Sequence, residues 1–232
     1  MIIIGYRGNE EVLKAYEKLK EEGIEVKIVK DPEELISYLF DKDVKGVIRG
    51  SLPSSEVIPL LRERLGKFYR ASILKNPFTK NIFLLSPVGI DEVKGLEDKI
   101  NIINYGAKFL EELKIEPKIA LLSGGRLEDL GRDERVDRTI KEAEEVKKRV
   151  SYIVEHRGIV IEEYLKEDFN LIVAPDGISG NLIFRCLALV CKLEGYGAIL
   201  LSEKKVNYID TSRSGDWRRY YNAAKLLLGN FK

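Results

Sequence analysis

Glutamine is absent from this chain, and methionine, histidine and tryptophan occur once each, as Met1, His156 and Trp217. One histidine cannot build a histidine-rich metal cluster, so no metal is expected. His156 falls inside a strongly charged stretch, which predicts a solvated surface side chain and argues against a Ser-His-Asp triad. Only two cysteines, Cys186 and Cys191, are present, both in one apolar helical stretch. That is no disulfide framework. Free cysteines are usually buried, so both are expected in the core of a cytoplasmic protein. No apolar run approaches the roughly 18 residues that span a bilayer. The apolar start, Met1 to Ile4, lacks the basic and long hydrophobic parts of a signal peptide and reads as a buried strand. Charge of one sign is missing too: 39 Lys and Arg stand against 38 Asp and Glu. With no polybasic tract, neither nucleic acid nor an anionic membrane is an expected partner.

What is plentiful is charge of both signs, at 33% of residues, against about 25% in ordinary soluble domains. Abundant Lys and Glu with few thermolabile side chains is the hyperthermophile tendency. The 232 residues allow one large domain or two small ones. Alternating and helical periodicities follow one another along nearly the whole length, which predicts an open, largely parallel α/β sheet or two such sheets. Asp31-Pro32-Glu33-Glu34 has the order of an N-cap, a first-turn proline and a capping-box acid. Runs at 68–75 and 82–86 flank Asn76-Pro77 as a hairpin. Helices are expected over 96–113, 134–157, 181–193 and 217–228, with late strands at 198–201 and 206–209.

Open α/β sheets bind ligands at the carboxyl ends of their strands, and four such ends are rich in Gly and Ser. Gly5 to Gly8 lacks the full dinucleotide spacing and reads as a tight turn. Arg49-Gly50-Ser51-Leu52-Pro53-Ser54-Ser55 sets glycine and hydroxyls before a helix, where the dipole favours an anion; the alternative is that Ser54 or Ser55 only caps that helix. Pro175-Asp176-Gly177-Ile178-Ser179-Gly180-Asn181 either floors a pocket or forms a turn. Asp210-Thr211-Ser212-Arg213 offers a guanidinium fork suited to phosphate; the alternative is a capped turn in which Asp210 pairs with Arg213.

Taken in order, these segments resemble the phosphate acetyl- and butyryltransferase superfamily. Arg49-Gly50 with Ser54-Ser55-Glu56-Val57 is similar to that family's Gly-x-x-x-Thr-Thr-x-x-Val element. Pro117-Lys118-Ile119-Ala120-Leu121-Leu122-Ser123 resembles its Pro-x-Val-Ala-x-Leu-Ser strand. Pro175-Asp176 with Gly180-Asn181 and Ile183 looks like its Pro-Asp-x-x-x-Gly-Asn-Ile element, and Ser212-Arg213 before Asn222-Ala223-Ala224 resembles the Ser-Arg signature and last helix. The chain is most similar to the compact MtxX, or methanogenesis-marker, branch, described as candidate methyltransferase subunits of methanogenic archaea.

The resemblance implies a two-domain α/β/α fold of the isocitrate/isopropylmalate dehydrogenase type, with largely parallel sheets and an interdomain cleft. Residues 1–115 plus 195–232 would form the first domain and 116–194 the second. It implies a homodimer and acyl transfer between phosphate and coenzyme A, the latter as a substrate and not a tightly bound cofactor. Ser212 and Arg213 would contact the acyl phosphate, and Gly50, Ser51, Ser54, Ser55 and Asp210 would line the phosphate end. Asp176, Gly180 and Asn181 would lie in the cleft. One position departs from the family: the acid that helps ionise the thiol is replaced by Arg219, with Asp216 the nearest carboxylate.

Overall fold

A computed structural model describes residues 1–229. Its strands are β1 (Ile2–Gly5), β2 (Val26–Val29), β3 (Gly46–Ile48), β4 (Tyr69–Lys75), β5 (Ile82–Ser86), β6 (Ile119–Leu121), β7 (Val154–His156), β8 (Leu171–Val173), β9 (Gly195–Leu201) and β10 (Tyr208–Asp210). The α-helices are α1 (Glu10–Glu21), α2 (Pro32–Ser37), α3 (Ser54–Leu65), α4 (Leu96–Glu112), α5 (Glu134–Arg149), α6 (Ile161–Lys166), α7 (Gly177–Arg185) and α8 (Trp217–Leu227). The chain divides into two compact units, Met1–Phe68 with Glu194–Lys232, and Tyr69–Leu193. The expected boundary at 115 differs from this division. Because β5 pairs in parallel with β8 and α4 packs on β8 and α5, the segment from β4 to α4 groups with the second unit.

In the first unit the strand order is β2-β1-β3-β10-β9, parallel except for β9. Side chains alternate across a strand. Ile3, Val47 and Tyr208 therefore face one side, where they join Leu35, Leu39, Val57, Leu61 and Leu65 of the α2–α3 layer in one buried cluster. Ile2, Ile4 and Ile48 face the other side, beneath the paired helices α1 and α8. Gly46 shares that face; the side chain of Leu227 from α8 occupies the space its Cβ would take. Asp31 caps α2 by accepting from the Glu34 amide at 2.8 Å, with Pro32 at the first position as expected.

In the second unit the order is β4-β5-β8-β6-β7, parallel except for the β4–β5 hairpin. Three expectations are corrected here. The charged helix ends at Arg149, and Val154-Glu155-His156 is a strand paired with β6; His156 is buried, not on the surface. The run of charges in α5 hid the short alternation of Val154 and His156 inward with Glu155 outward. The helix expected over 181–193 starts earlier, at Gly177, and passes into a π-helical turn at Cys186–Val190. Cys186 and Cys191 are exposed and not core residues. The buried positions of this segment are the small residues Gly177, Gly180 and Ala188, which leaves the larger Leu182, Cys186 and Val190 facing outward. Among the described residues no helix is long and apolar enough to cross a membrane.

Candidate ligand site

Because β1, β3 and β10 are parallel neighbours, their carboxyl ends share one edge of the first unit's sheet. The chain leaves β1 for β2 on one side and returns to β3 on the other, so the topological switch point lies between Gly5 and Arg49. The Gly50–Ser55 turn and the Asp210–Arg213 segment meet at this edge. Thr211 Oγ1 donates to the Gly50 carbonyl at 2.9 Å and ties the two loops together.

The centre of the edge is a buried guanidinium. Arg49 is 5% and Asp210 7% exposed. Arg49 donates through Nε to Asp210 Oδ1, through one terminal nitrogen to the Leu52 carbonyl at 2.5 Å, and through the other to the Thr211 carbonyl. Asp210 thus pairs with Arg49, which is not the pairing of the alternative turn reading, Asp210 with Arg213. Arg49 was overlooked as a site residue, although the sequence signals it: a cation directly after the apolar strand Gly46–Ile48 must find a buried acceptor.

Ser51 is also buried. Its hydroxyl accepts from the Arg7 amide at 2.7 Å and its own amide donates to the Gly5 carbonyl at 3.0 Å, so it fastens the turn after β1. Ser54 and Ser55 are exposed first residues of α3, not its cap. The cap position is Pro53, and no side chain caps this twelve-residue helix, leaving the positive end of its dipole open to solvent.

Arg213 is exposed, and none of the described residues engages its guanidinium. Its backbone, by contrast, is clamped. Asn9 Nδ2 donates to the Arg213 carbonyl at 2.7 Å and the Gly215 carbonyl at 3.3 Å, while Tyr220 Oη donates to the Ser212 carbonyl at 2.8 Å. Asn9 also caps α1, accepting from the Glu11 amide at 3.0 Å. Asn9 and Tyr220 were not legible as site residues, since Asn9 acts on a carbonyl 204 positions away and Tyr220 on one 8 positions away. Ser212 Oγ lies 3.1 Å from Ser214 Oγ. At the start of α8, Asp216 serves as the N-cap, and burial holds the half-buried Arg219 guanidinium below its usual pKa.

Burial pushes the Tyr220 phenol up to about 12. A phenol whose folded pKa exceeds its unfolded value of about 10 stabilises the fold fully below pH 10, and that contribution is lost as pH rises toward 12. Tyr220→Phe should therefore flatten the alkaline decline in urea-unfolding stability by up to about 1.4 kcal/mol per pH unit across this window. An unchanged slope in Tyr220→Phe would show that the phenol is not held protonated.

In the second unit, Asp176 caps α7 by accepting from the Ser179 amide at 2.8 Å, and Asn181 Nδ2 donates to the Val88 carbonyl at 2.7 Å. A Cβ on Gly180 would lie 1.9 Å from the Pro87 carbonyl oxygen. The three residues thus come together, and their visible work is to dock α7 on the loop after β5. The same unit holds a constellation with triad-like spacing: Ser123 Oγ lies 3.0 Å from His156 Nε2, and His156 Nδ1 lies 2.6 Å from Glu144 Oε1. Ser123 is 1% exposed and its hydroxyl already donates to the Gly125 carbonyl at 3.0 Å, so no substrate reaches it in this conformation. It reads as a polar core joining β6, β7 and α5. Among the described residues no three His, Cys, Asp or Glu side chains gather as a metal site. A cavity of about 400 Å³ opens by the amino end of β3, lined by Phe40, Lys42, Gly46 and Lys205, and touches none of the candidate residues.

No protein-family model matches the chain. Comparison with curated proteins finds a Methanocaldococcus jannaschii protein named "Uncharacterized methyltransferase", 59% identical over 99% of this chain and 97% of its own length. A Methanosarcina acetivorans protein named "Putative methyltransferase mtx subunit X" is 43% identical over 83% of this chain and 70% of its own. Among solved structures, a branched-chain phosphotransacylase from Enterococcus faecalis aligns with a TM-score of 0.73 at 16% identity, over 99% of both chains. A phosphotransacetylase from Streptococcus pyogenes aligns with a TM-score of 0.66 at 16% identity, over 97% of this chain and 92% of that one. At such identities the structures establish a shared phosphotransacetylase-type fold, while the sequence relatives establish kinship: the chain belongs to the MtxX family of methanogenic archaea.

Proposed function

We propose that the first unit binds a phosphate-bearing ligand, an acyl phosphate or a related phosphoester, and that the protein is a transferase of phosphotransacylase descent. One observation carries this reading. An exposed, unengaged Arg213 sits on a backbone clamped by Asn9 and Tyr220, and the adjoining Thr211 bonds to the turn that opens the uncapped helix α3. A guanidinium fork and a helix N-terminus are both suited to phosphate oxygens. Ser212, Ser54 and Ser55 supply hydroxyls to the same anion, and Gly50 lets the backbone come close. Asp210 and Ser51 act by holding the loops.

Titration calorimetry with inorganic phosphate and with acetyl phosphate tests this. Arg213→Ala should weaken binding about 10- to 100-fold, the value of a hydrogen bond to a charged partner. Equal affinity in wild type and variant would sink the assignment. Acyl transfer to coenzyme A makes a further demand on the site. A thiol of pKa about 8.5 needs a base to ionise at neutral pH, and Arg219 stands where that acid would be. Binding without acetyl-coenzyme A formation would mark a non-catalytic or regulatory descendant of the fold.

The names of the relatives favour a second reading, a methyltransferase subunit. Heat on titration with S-adenosylmethionine would support methyl transfer from that donor. Its absence would leave phosphate chemistry as the better account.

A further inference from the structure

The geometry points to Arg49 as the positioning residue of the phosphate site, an inference that rests on the reading of that site given above. Its side chain is 6% exposed, too enclosed to meet a ligand directly. Its three nitrogens reach acceptors on both loops: the Leu52 carbonyl on the turn entering α3, and Asp210 Oδ1 with the Thr211 carbonyl on the segment that carries Ser212 and Arg213. One planar cation therefore fixes the distance between the helix N-terminus and the phosphate-facing arginine. It also neutralises Asp210, whose carboxylate would otherwise repel an anion three residues from Arg213. The fork shape is essential, because lysine presents one nitrogen and cannot span acceptors lying in three directions. The Thr211–Gly50 hydrogen bond runs parallel to this brace but carries no charge.

Arg49→Lys keeps the charge beside Asp210 and removes the brace, whereas Arg213→Ala removes the ligand contact. Inorganic phosphate affinity would be measured by calorimetry at several salt concentrations, well below each variant's unfolding temperature. Hydrogen exchange of the Gly215 amide, bonded to the Ser212 carbonyl at 3.1 Å, would be followed without ligand. Arg49→Lys should bind phosphate about tenfold more weakly with the wild-type salt dependence, and its Gly215 amide should exchange about tenfold faster. Arg213→Ala should lose affinity and salt dependence together, with unchanged Gly215 exchange. Lowered thermal stability in Arg49→Lys with wild-type affinity and wild-type Gly215 exchange would reduce Arg49 to a structural residue and overturn the inference. Failure of wild type to bind phosphate would overturn the site reading and this inference with it, whereas loss in Arg213→Ala alone would overturn only the role given to Arg49.

Discussion

Gly50→Ala is expected to lower the unfolding temperature by about 10 °C. Gly50 sits at φ +61°, and an added Cβ would lie 1.7 Å from the Gly5 carbonyl oxygen, a backbone atom that accepts the Ser51 amide. The left-handed conformation costs an L-residue about 1–2 kcal/mol, and forcing apart packed backbone costs about 1–3 kcal/mol more. In a chain of this length each kcal/mol moves the midpoint by about 2–4 °C. Gly8→Ala is the matched control: φ is +72° but nothing lies within 4 Å of the built Cβ, so only the conformational cost of about 1–2 kcal/mol applies. Thermal denaturation of both variants separates close approach from backbone strain. Equal losses would show that β1 and β3 do not approach as described. The phosphate affinity of folded Gly50→Ala should fall as well, since the turn into α3 must shift.

Gly180→Ala is the second, and here two physical effects have opposite signs. Inside α7, alanine should gain about 1 kcal/mol over glycine from helix propensity. Against that, the added Cβ would meet the Pro87 carbonyl oxygen at 1.9 Å and the Ala174 Cβ at 3.2 Å. A carbonyl on the chain cannot swing aside as a side chain does, so the overpacking cost of about 1–3 kcal/mol, or more, wins. Net destabilisation measured by urea unfolding is expected, with the phosphate affinity of the folded protein unchanged. A gain in stability would show that α7 is not seated against Pro87. Lost affinity without lost stability would instead support Gly180 as a ligand-site residue.

How far the sequence foretold this follows from the range of each interaction. Asp31 and Pro32 were readable because a cap and a first-turn proline act within four residues. The β4–β5 hairpin was readable from two apolar runs around Asn76-Pro77. The candidate edge was partly readable, because Gly50 and Arg213 belong to local patterns at strand ends. Arg49 and Asp210 were not joined in advance, since their bond closes across 161 positions and only the insertion of β10 beside β3 brings them together. His156 was misplaced for the opposite reason: a strong local signal, the charge of α5, overran a three-residue strand whose identity comes from pairing with β6. Cys186 and Cys191 were misplaced because the stretch 182–191 is apolar apart from Arg185, so composition could not say that the side of Gly177, Gly180 and Ala188 is the one that packs.

The late return of β10 has a consequence for how the protein is made. On the ribosome the first 68 residues emerge with β3 lacking the neighbour that supplies Asp210 and Thr211. At about 5–20 residues per second, roughly 8–30 s separate synthesis of Arg49 from that of Asp210. Throughout that interval the Arg49 guanidinium lacks Asp210 and Thr211, which supply two of its three acceptors in the folded chain. The intervening unit, Tyr69–Leu193, is by then fully synthesised. On the proposed reading, ligand competence is gained only near the end of translation, and a chain that stops short of β10 is expected to be silent toward phosphate.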